Sequence, residues 1–352
     1  MLSIQNTCMK SSNTNYYLLL LIALLTSCNN NPGKTREEKI DYVMQQAYKN
    51  QQFVGNVLVA DKGQIIYHKS FGKADAAQNI PNTDSTKFLI ASLSKPITAI
   101  IILRLVDKGL LNLQAPISTF FPISNPTIGK ITIHQLLTHS SGINEVINKE
   151  KDFDLNAALN KATLKFDSGT DFEYSNSGFV ILIKIAEKVT GKQYQEIINT
   201  EVFEPANMTS SGITRNNQTK IFAKGYTDVS QKTLAIIDYP FENVDGAGSV
   251  YSTTEDLYNL DKALRTNALL TEKTKALMLQ QHIPEKYSYG WFVSERGGIW
   301  DVYWHKGNLT GVTSYISRRT QKEQLIILLA NAENLDISDI EKDIAKIMKT
   351  SE

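Results

Sequence analysis

An α+β fold of three-layer type is what this sequence predicts: one antiparallel sheet assembled from the N- and C-terminal parts of the chain, flanked by helices, with a helical insertion within about residues 92–285. Two observations carry that expectation. Strand-like runs are confined to residues 53–71 and 289–329, and the chain between them is mostly helix-patterned. Within that middle, Ile100-Ile101-Ile102-Leu103-Arg104-Leu105-Val106 is apolar on nearly every face, the mark of a helix buried in a core rather than lying on a surface.

Taken in order, Arg36 to Asn50 reads as a helix with Ile40, Val43, Met44 and Ala47 on one face. Phe53 to Ala60, the turn Asp61-Lys62-Gly63, and Gln64 to Phe71 read as a hairpin. The buried helix ends at Gly109. Its start is set by Pro96, which lacks an N–H and is tolerated only in a first turn, so Ser92 sits at the N-terminal lip. Thr132 to Thr138 is a short helix, Ser177 to Val189 a longer one stopped at Thr190-Gly191, and Gln193 to Glu201 another. Ser252-Thr253-Thr254-Glu255 has the spacing of a capping box and opens a helix over Asp256 to Leu264; Thr271 to Gln280 follows. Tyr289 to Val293, Ile299 to Trp304, Val312 to Ser317 and Leu325 to Leu329 are short β-rich runs, with Glu295-Arg296-Gly297-Gly298 as one turn between them. Ile337 to Met348 closes the chain as a helix. No internal repeat or low-complexity segment is present.

The 352 residues are enough for a large core, and the 37 basic against 36 acidic residues leave no polybasic field to attract nucleic acid or anionic lipid. Both cysteines, Cys8 and Cys28, precede the globular part. Tyr16 to Leu25 is an apolar run too short to span a bilayer comfortably, and it breaks at Leu25-Thr26-Ser27-Cys28. That break has the small residues of an export cleavage site and resembles a bacterial lipobox, whose cysteine becomes lipidated. The expected organisation is a lipoprotein-type signal peptide over 1–28, a tether over 29–35 and a single catalytic domain over 36–352, with translation starting at Met1 or Met9. The protein would be exported and lipid-anchored at Cys28 to a bacterial membrane, facing the periplasm or the cell exterior. Its mature domain would then hold no cysteine for a disulfide, thiol catalysis or a thiolate metal site.

Ser92 and Lys95 lie three apart, so on a helix the amine rises beside the hydroxyl. Buried there, an ammonium is disfavoured and its pKa falls, which lets it accept the serine proton. Unpaired N–H groups at the helix tip favour the negative charge that develops. Ser70 and Lys73 repeat the spacing, but in a strand-like stretch where such a pair shares no face. A second motif, Tyr174-Ser175-Asn176, offers a phenol as proton relay, its pKa expected to be lowered by cationic neighbours, and an amide to orient Lys95 and a substrate carbonyl. Tyr48-Lys49-Asn50 repeats this tripeptide on a solvated helix face. The third, Trp304-His305-Lys306-Gly307-Asn308, holds the one histidine of five in a His-x-Gly setting. Gly307 is expected to let a substrate approach the strand edge, with the N–H groups of Asn308 and Ser92 as oxyanion donors.

With supporting stretches Phe71-Gly72-Lys73-Ala74-Asp75, Leu136-Leu137-Thr138-His139-Ser140-Ser141-Gly142, Phe203-Glu204-Pro205 and Gly246-Ala247-Gly248-Ser249-Val250-Tyr251, the ordered motifs resemble the serine β-lactamase/D-alanyl-D-alanine peptidase superfamily. The likeness is to the branch holding class C-like β-lactamases, esterases and D-amino-acid peptidases. It implies that Ser92 is the acylated nucleophile, Lys95 its activating partner, Tyr174 the proton relay, Asn176 a substrate-positioning amide and His305 the third-motif residue. No cofactor or metal is implied, and the partner is a small-molecule or peptide-like substrate, peptidoglycan-derived ones included. The third motif departs from the Lys-Thr-Gly or Lys-Ser-Gly usual in the β-lactamases: His305 is near neutral at pH 7, and strand alternation turns Lys306 away from it. That favours an esterase or D-alanyl-D-alanine-type carboxypeptidase or peptidase. A class C-like β-lactamase and a non-catalytic lipoprotein binding peptidoglycan or a partner stand as alternatives.

Several residues fit other roles better. Gly246-Ala247-Gly248 lacks the further glycine and lysine of a nucleotide loop. His139 suits a structural role in a tight turn. His68, His134 and His282 are too scattered for a metal site, and Arg318-Arg319 reads as a solvated strand end.

Overall fold

The structure, a computed structural model, describes residues 33–148, 150–151, 153–215, 222–236, 240–282, 287–296 and 299–349. The expected export signal, both cysteines and most of the expected tether lie outside the described residues, as do Gly297 and Gly298 of the expected turn.

A six-stranded antiparallel sheet has the spatial order β2-β1-β11-β10-β9-β8. Its strands are β1 (Gly55–Asp61), β2 (Gln64–Phe71), β8 (Phe292–Arg296), β9 (Ile299–Leu309), β10 (Val312–Arg319) and β11 (Gln324–Ala330). The first hairpin thus lies directly against the last strand, Val57 opposite Leu328. β11 is apolar at six successive positions because it is covered on both faces. Leu325, Ile327 and Leu329 face the large core, whereas Ile326, Leu328 and Ala330 face a smaller one. The smaller core is closed by helices α1 (Arg36–Lys49) and α10 (Ile337–Lys349), through Ile40, Met44, Ile340 and Ile344. The three layers expected from the sequence are these two helices, the sheet and the helical middle.

The insertion contains α2 (Ser94–Asp107), α3 (Pro126–Gly129), α4 (Ile133–Leu137), α5 (Leu155–Lys161), α6 (Asn176–Thr190), α7 (Tyr194–Ile198), α8 (Thr254–Arg265) and α9 (Glu272–Leu279). Helix α2 is buried through Ile97, Ala99, Ile100, Ile101, Ile102, Leu103 and Leu105, and Gly109 follows with φ +71°. A small sheet, β5 (Phe88–Leu89), β7 (Val250–Ser252) and β6 (Gly212–Ile213), and a ribbon of β3 (Lys73–Asp75) with β4 (Ile80–Pro81) complete the strands.

Several boundaries differ from expectation for local reasons. Thr253, not Ser252, caps α8 by accepting from Asp256 N at 3.1 Å, because Ser252 is held in β7. The helix after Gln193 leaves α geometry at Ile198 and continues as a π turn over Asn199–Phe203. Tyr289 and Trp291 precede β8 rather than lying in it, and β9 runs on through the whole third motif to Leu309. Arg318 and Arg319 are no solvated strand end: they are buried and paired with Asp261 at 2.9 Å and with Glu341.

Because Ile101 is fully enclosed on the central helix, Ile101→Ala should lower unfolding free energy by about 3 kcal/mol through lost transfer energy and an unfilled cavity. Urea unfolding reads this directly, and a change below about 1 kcal/mol would show that the helix is not the packed centre of the core.

Candidate active site

Ser92 lies on a 3-10 turn, Ala91–Leu93, that leads straight into α2. The turn is clamped from three sides. Ile90 N donates to Val250 O at 3.0 Å, Ser314 Oγ to Ile90 O at 2.7 Å, and Ser94 Oγ to Ala91 O at 2.7 Å. Ala91 is held at φ +47°, a left-handed conformation unfavourable for any residue with a Cβ, so strain sits immediately before Ser92.

Lys95 is fully buried, and its amine has three acceptors: Ser92 Oγ at 3.1 Å, Asn176 Oδ1 at 2.8 Å and Ala247 O at 3.0 Å. The Gly246-Ala247-Gly248 turn set aside as a nucleotide loop therefore serves the lysine. Gly246, at φ +83°, permits the turn because a Cβ there would run into Ile183 and Phe179 O. Burial depresses the Lys95 pKa to about 7, against a smaller upward pull from Glu145. Near neutral pH a substantial fraction of the amine is free to take a proton.

Tyr174 stands with its ring centroid 4.7 Å from Lys95 Nζ and 6.2 Å from the His305 ring. Its oxygen is buried without an aligned hydrogen-bond partner. The expected lowering of its pKa is reversed: burial raises it, the nearby Ser92 hydroxyl offsets part of the rise, and Glu145 adds to it. The phenol is therefore neutral, able to pass a proton but not resident as a tyrosinate.

Asn176 opens α6, where Ser175 Oγ accepts from Gly178 N at 3.2 Å as the cap. Ser175 N in turn donates to His139 Nδ1 at 3.0 Å, which makes His139, buried at φ +58°, the structural histidine expected. Burial first, then Lys95 and His305, hold it well below the usual imidazole range.

His305 on β9 is buried, and burial together with Lys95 lowers its pKa to about 3, so it is uncharged at neutral pH. Its Nδ1 pairs with Lys306 O at 2.9 Å, which fixes the proton there and leaves Nε2 as the acceptor, 3.5 Å from Tyr287 Oη. Lys306 points off this face, its amine donating to Leu335 O at 3.2 Å. Gly307 is required for a reason different from the one expected. A Cβ at 307 would collide with Ile90 O and Ser314 Oγ and press on Ser92 N at 3.1 Å, so the absent side chain lets β9 back onto the turn that carries Ser92. Asn308 is next, near the tip of a two-residue hairpin closed by Leu309 opposite Val312. Alternation of paired and unpaired positions turns the Asn308 N–H away from β10, along an edge β8 has left, since β8 pairs no farther than Trp304.

Two residues of the site escaped the sequence reading. Glu145 accepts from Asn176 N at 3.1 Å, Ser177 N at 2.6 Å and Ser177 Oγ. Nothing local marks it, because its partners lie 31 and 32 residues on. Tyr287 packs at 4.8 Å from both the His139 and Phe292 rings, beside a stretch with no motif of its own. Ser70 hydrogen-bonds Asp84 on exposed β2, away from any lysine partner at helix spacing, and Tyr48 is exposed. Among the described residues no group of three or more His, Cys, Asp or Glu is placed to hold a metal ion.

Three segments far apart in sequence thus converge on one serine–lysine pair. The beta-lactamase family pattern matches residues 40–346. This chain belongs to the beta-lactamase family. It is 30% identical over 315 residues to penicillin-binding protein 4* of Bacillus subtilis, covering 80% of this chain and 69% of that one. A teichoic acid D-alanine hydrolase of Staphylococcus aureus is 27% identical over 264 residues, 73% of this chain and 65% of that one. The crystal structure of a penicillin-binding protein from Bacillus halodurans superposes with a TM-score of 0.77 at 27% identity, over 88% of this chain and 99% of that one. As a member of this family the chain is a serine hydrolase.

With Lys95 as proton acceptor, labelling of Ser92 by a fluorophosphonate should rise with pH through a single limb near 7. A rate flat from about pH 5 to 9 would exclude the lysine from activation.

Proposed function

We propose that this beta-lactamase-family hydrolase cleaves an ester or amide through an acyl-enzyme on Ser92, as an esterase or D-alanyl-D-alanine-type carboxypeptidase or peptidase. The observation that carries the reading is the 3.1 Å approach of a fully buried lysine amine to the serine hydroxyl. Lys95 takes the Ser92 proton as Oγ bonds to the carbonyl carbon, and the oxyanion is met by the Ser92 and Asn308 N–H groups. Collapse breaks the bond to the leaving oxygen or nitrogen, which receives the proton from Lys95 by way of the neutral Tyr174 phenol. Water then adds to the acyl carbon, gives its proton to Lys95 and releases the acid, restoring Ser92. Asn176, its Oδ1 engaged by Lys95, offers its amide hydrogens to the acyl carbonyl side.

The third motif favours the esterase side of this reading over an efficient β-lactamase. A substrate carboxylate would meet an uncharged His305, a Lys306 turned to the far face, and arginines already paired with Asp261 and Glu341. A non-catalytic binder has no use for a lysine desolvated against a serine. Penicillin-binding and D-alanine hydrolase relatives fit an ester- or amide-cleaving enzyme.

Assayed against p-nitrophenyl acetate, a D-alanyl-D-alanine peptide and nitrocefin, the wild type should turn over the ester or peptide. Ser92→Ala should lose at least about a thousandfold in kcat/KM. Nitrocefin turned over much faster than the ester would favour the β-lactamase, and hydrolysis that survives Ser92→Ala would end the nucleophile assignment. We also propose that the protein is exported and held by lipid on Cys28, a reading supported by the Leu25-Thr26-Ser27-Cys28 break that ends the apolar run. Cys28→Ala should move it from the membrane to the soluble fraction; continued sedimentation with membranes would count against that anchor.

A further inference from the structure

The charges around the serine–lysine pair are few and lopsided. Among the described residues, the formal charges that act on Lys95, Tyr174 or His305 are those of Glu145 and of Lys95 itself. His139, His305, Tyr174 and Tyr287, which ring the amine, are all held in their neutral forms by burial. Once Lys95 has given up its proton to become competent, Glu145 is the formal charge left. Lys165 and Glu173, on the loop before Tyr174, cancel each other in an ion pair.

Glu145 is placed to act on a substrate as well as on the fold. It is exposed, and it sits on the N–H of Asn176, whose side-chain oxygen holds Lys95. Three donors, Asn176 N, Ser177 N and Ser177 Oγ, occupy its two oxygens, and a carboxylate has about four acceptor sites. One remains, on Oε2, the oxygen bonded to Asn176 N. An ammonium there would gain a charge-assisted hydrogen bond, whereas a second carboxylate would meet repulsion from Glu145.

We propose that Glu145 is a specificity-determining residue that selects acyl groups carrying a cationic amine and disfavours those carrying a carboxylate. The inference rests on the acyl-enzyme reading of Ser92 and goes beyond it by naming the charge of the acyl portion and the residue that reads it. A purely structural Glu145 would cap α6 and treat all acyl groups alike.

The test compares p-nitrophenyl esters of 3-aminopropanoate, butanoate and hemisuccinate at one pH above the Lys95 limb, in wild type and Glu145→Gln. Glutamine keeps one carbonyl acceptor, enough for the Ser177 donors, and gives up the oxygen that accepts from Asn176 N. The wild type should favour the cationic over the anionic ester several-fold in kcat/KM, as expected for a charge contact at a solvent-exposed carboxylate. Glu145→Gln should shrink that ratio several-fold, with the butanoate ester as the reference for any loss common to all three substrates, and the acid limb should move to lower pH because the charge that props up Lys95 is gone. Raising ionic strength should compress the wild-type ratio, a readout that needs no variant to fold. A ratio near one in the wild type, a ratio unchanged by salt, or an equal loss on all three esters would overturn the assignment. Ser92 labelled by fluorophosphonate with none of the esters turned over would overturn it while leaving the nucleophile intact; an unlabelled Ser92 would remove both.

Discussion

A single primary amine, taken wholly out of water and surrounded by three oxygens from three parts of the chain, is the constraint the rest of the structure answers to. Ser92, Asn176 and Ala247 each supply one acceptor to Lys95; the serine lies within a helical turn of it, the other two 81 and 152 residues along the chain. Burying an ammonium is costly, and three uncharged acceptors compensate only in part, so the amine settles near neutrality instead of remaining a fixed cation. The folded value lies below the ordinary one of 10.5, so between about pH 7 and that value the unfolded chain binds more protons. Stability therefore rises with pH across this window, and at lower pH the site is a liability that the packed core has to offset.

The sheet and the helical insertion are arranged to hold that pair still. Gly307 and Ser314 fix the turn from the β9–β10 side, Val250 fixes it from the small sheet, and the apolar length of α2 anchors it from beneath. The strained Ala91 survives because these contacts over-determine it. On the opposite wall, Glu145 and His139 fix the first turn of α6, so the phenol and the amide arrive together. Side chains that carry chemistry sit on rigid element ends, as geometry within a fraction of an ångström demands.

Much of this was legible in the sequence because it is written in local rules. Pro96 and the run from Ile100 to Val106 located the buried helix and put Ser92 at its tip; Lys62-Gly63 marked the first hairpin; Gly191 marked the end of α6. Alternation in β9 correctly sent Lys306 away from His305. What local rules could not supply was environment. The Tyr174 phenol looked like one tuned by cations, but enclosure by other rings outweighs a neighbouring amine that is itself losing its charge. Gly307 looked like room for a substrate and proved to be room for Ile90. Arg318 and Arg319 looked like a wet strand end because Asp261 and Glu341 lie 57 and 22 residues distant. Glu145 and Tyr287 belong to the same class, being meaningful only once the chain has closed around them.

The most direct test of the central claim is the ionisation of Lys95 itself, followed by nitrogen-detected NMR on protein with ¹⁵N-labelled lysine, the resonance assigned with Lys95→Arg. A titration centred near 7 is the expected result. An amine that stays protonated up to the ordinary value near 10.5 would contradict it, and with it the idea that burial turns this lysine into the base for Ser92.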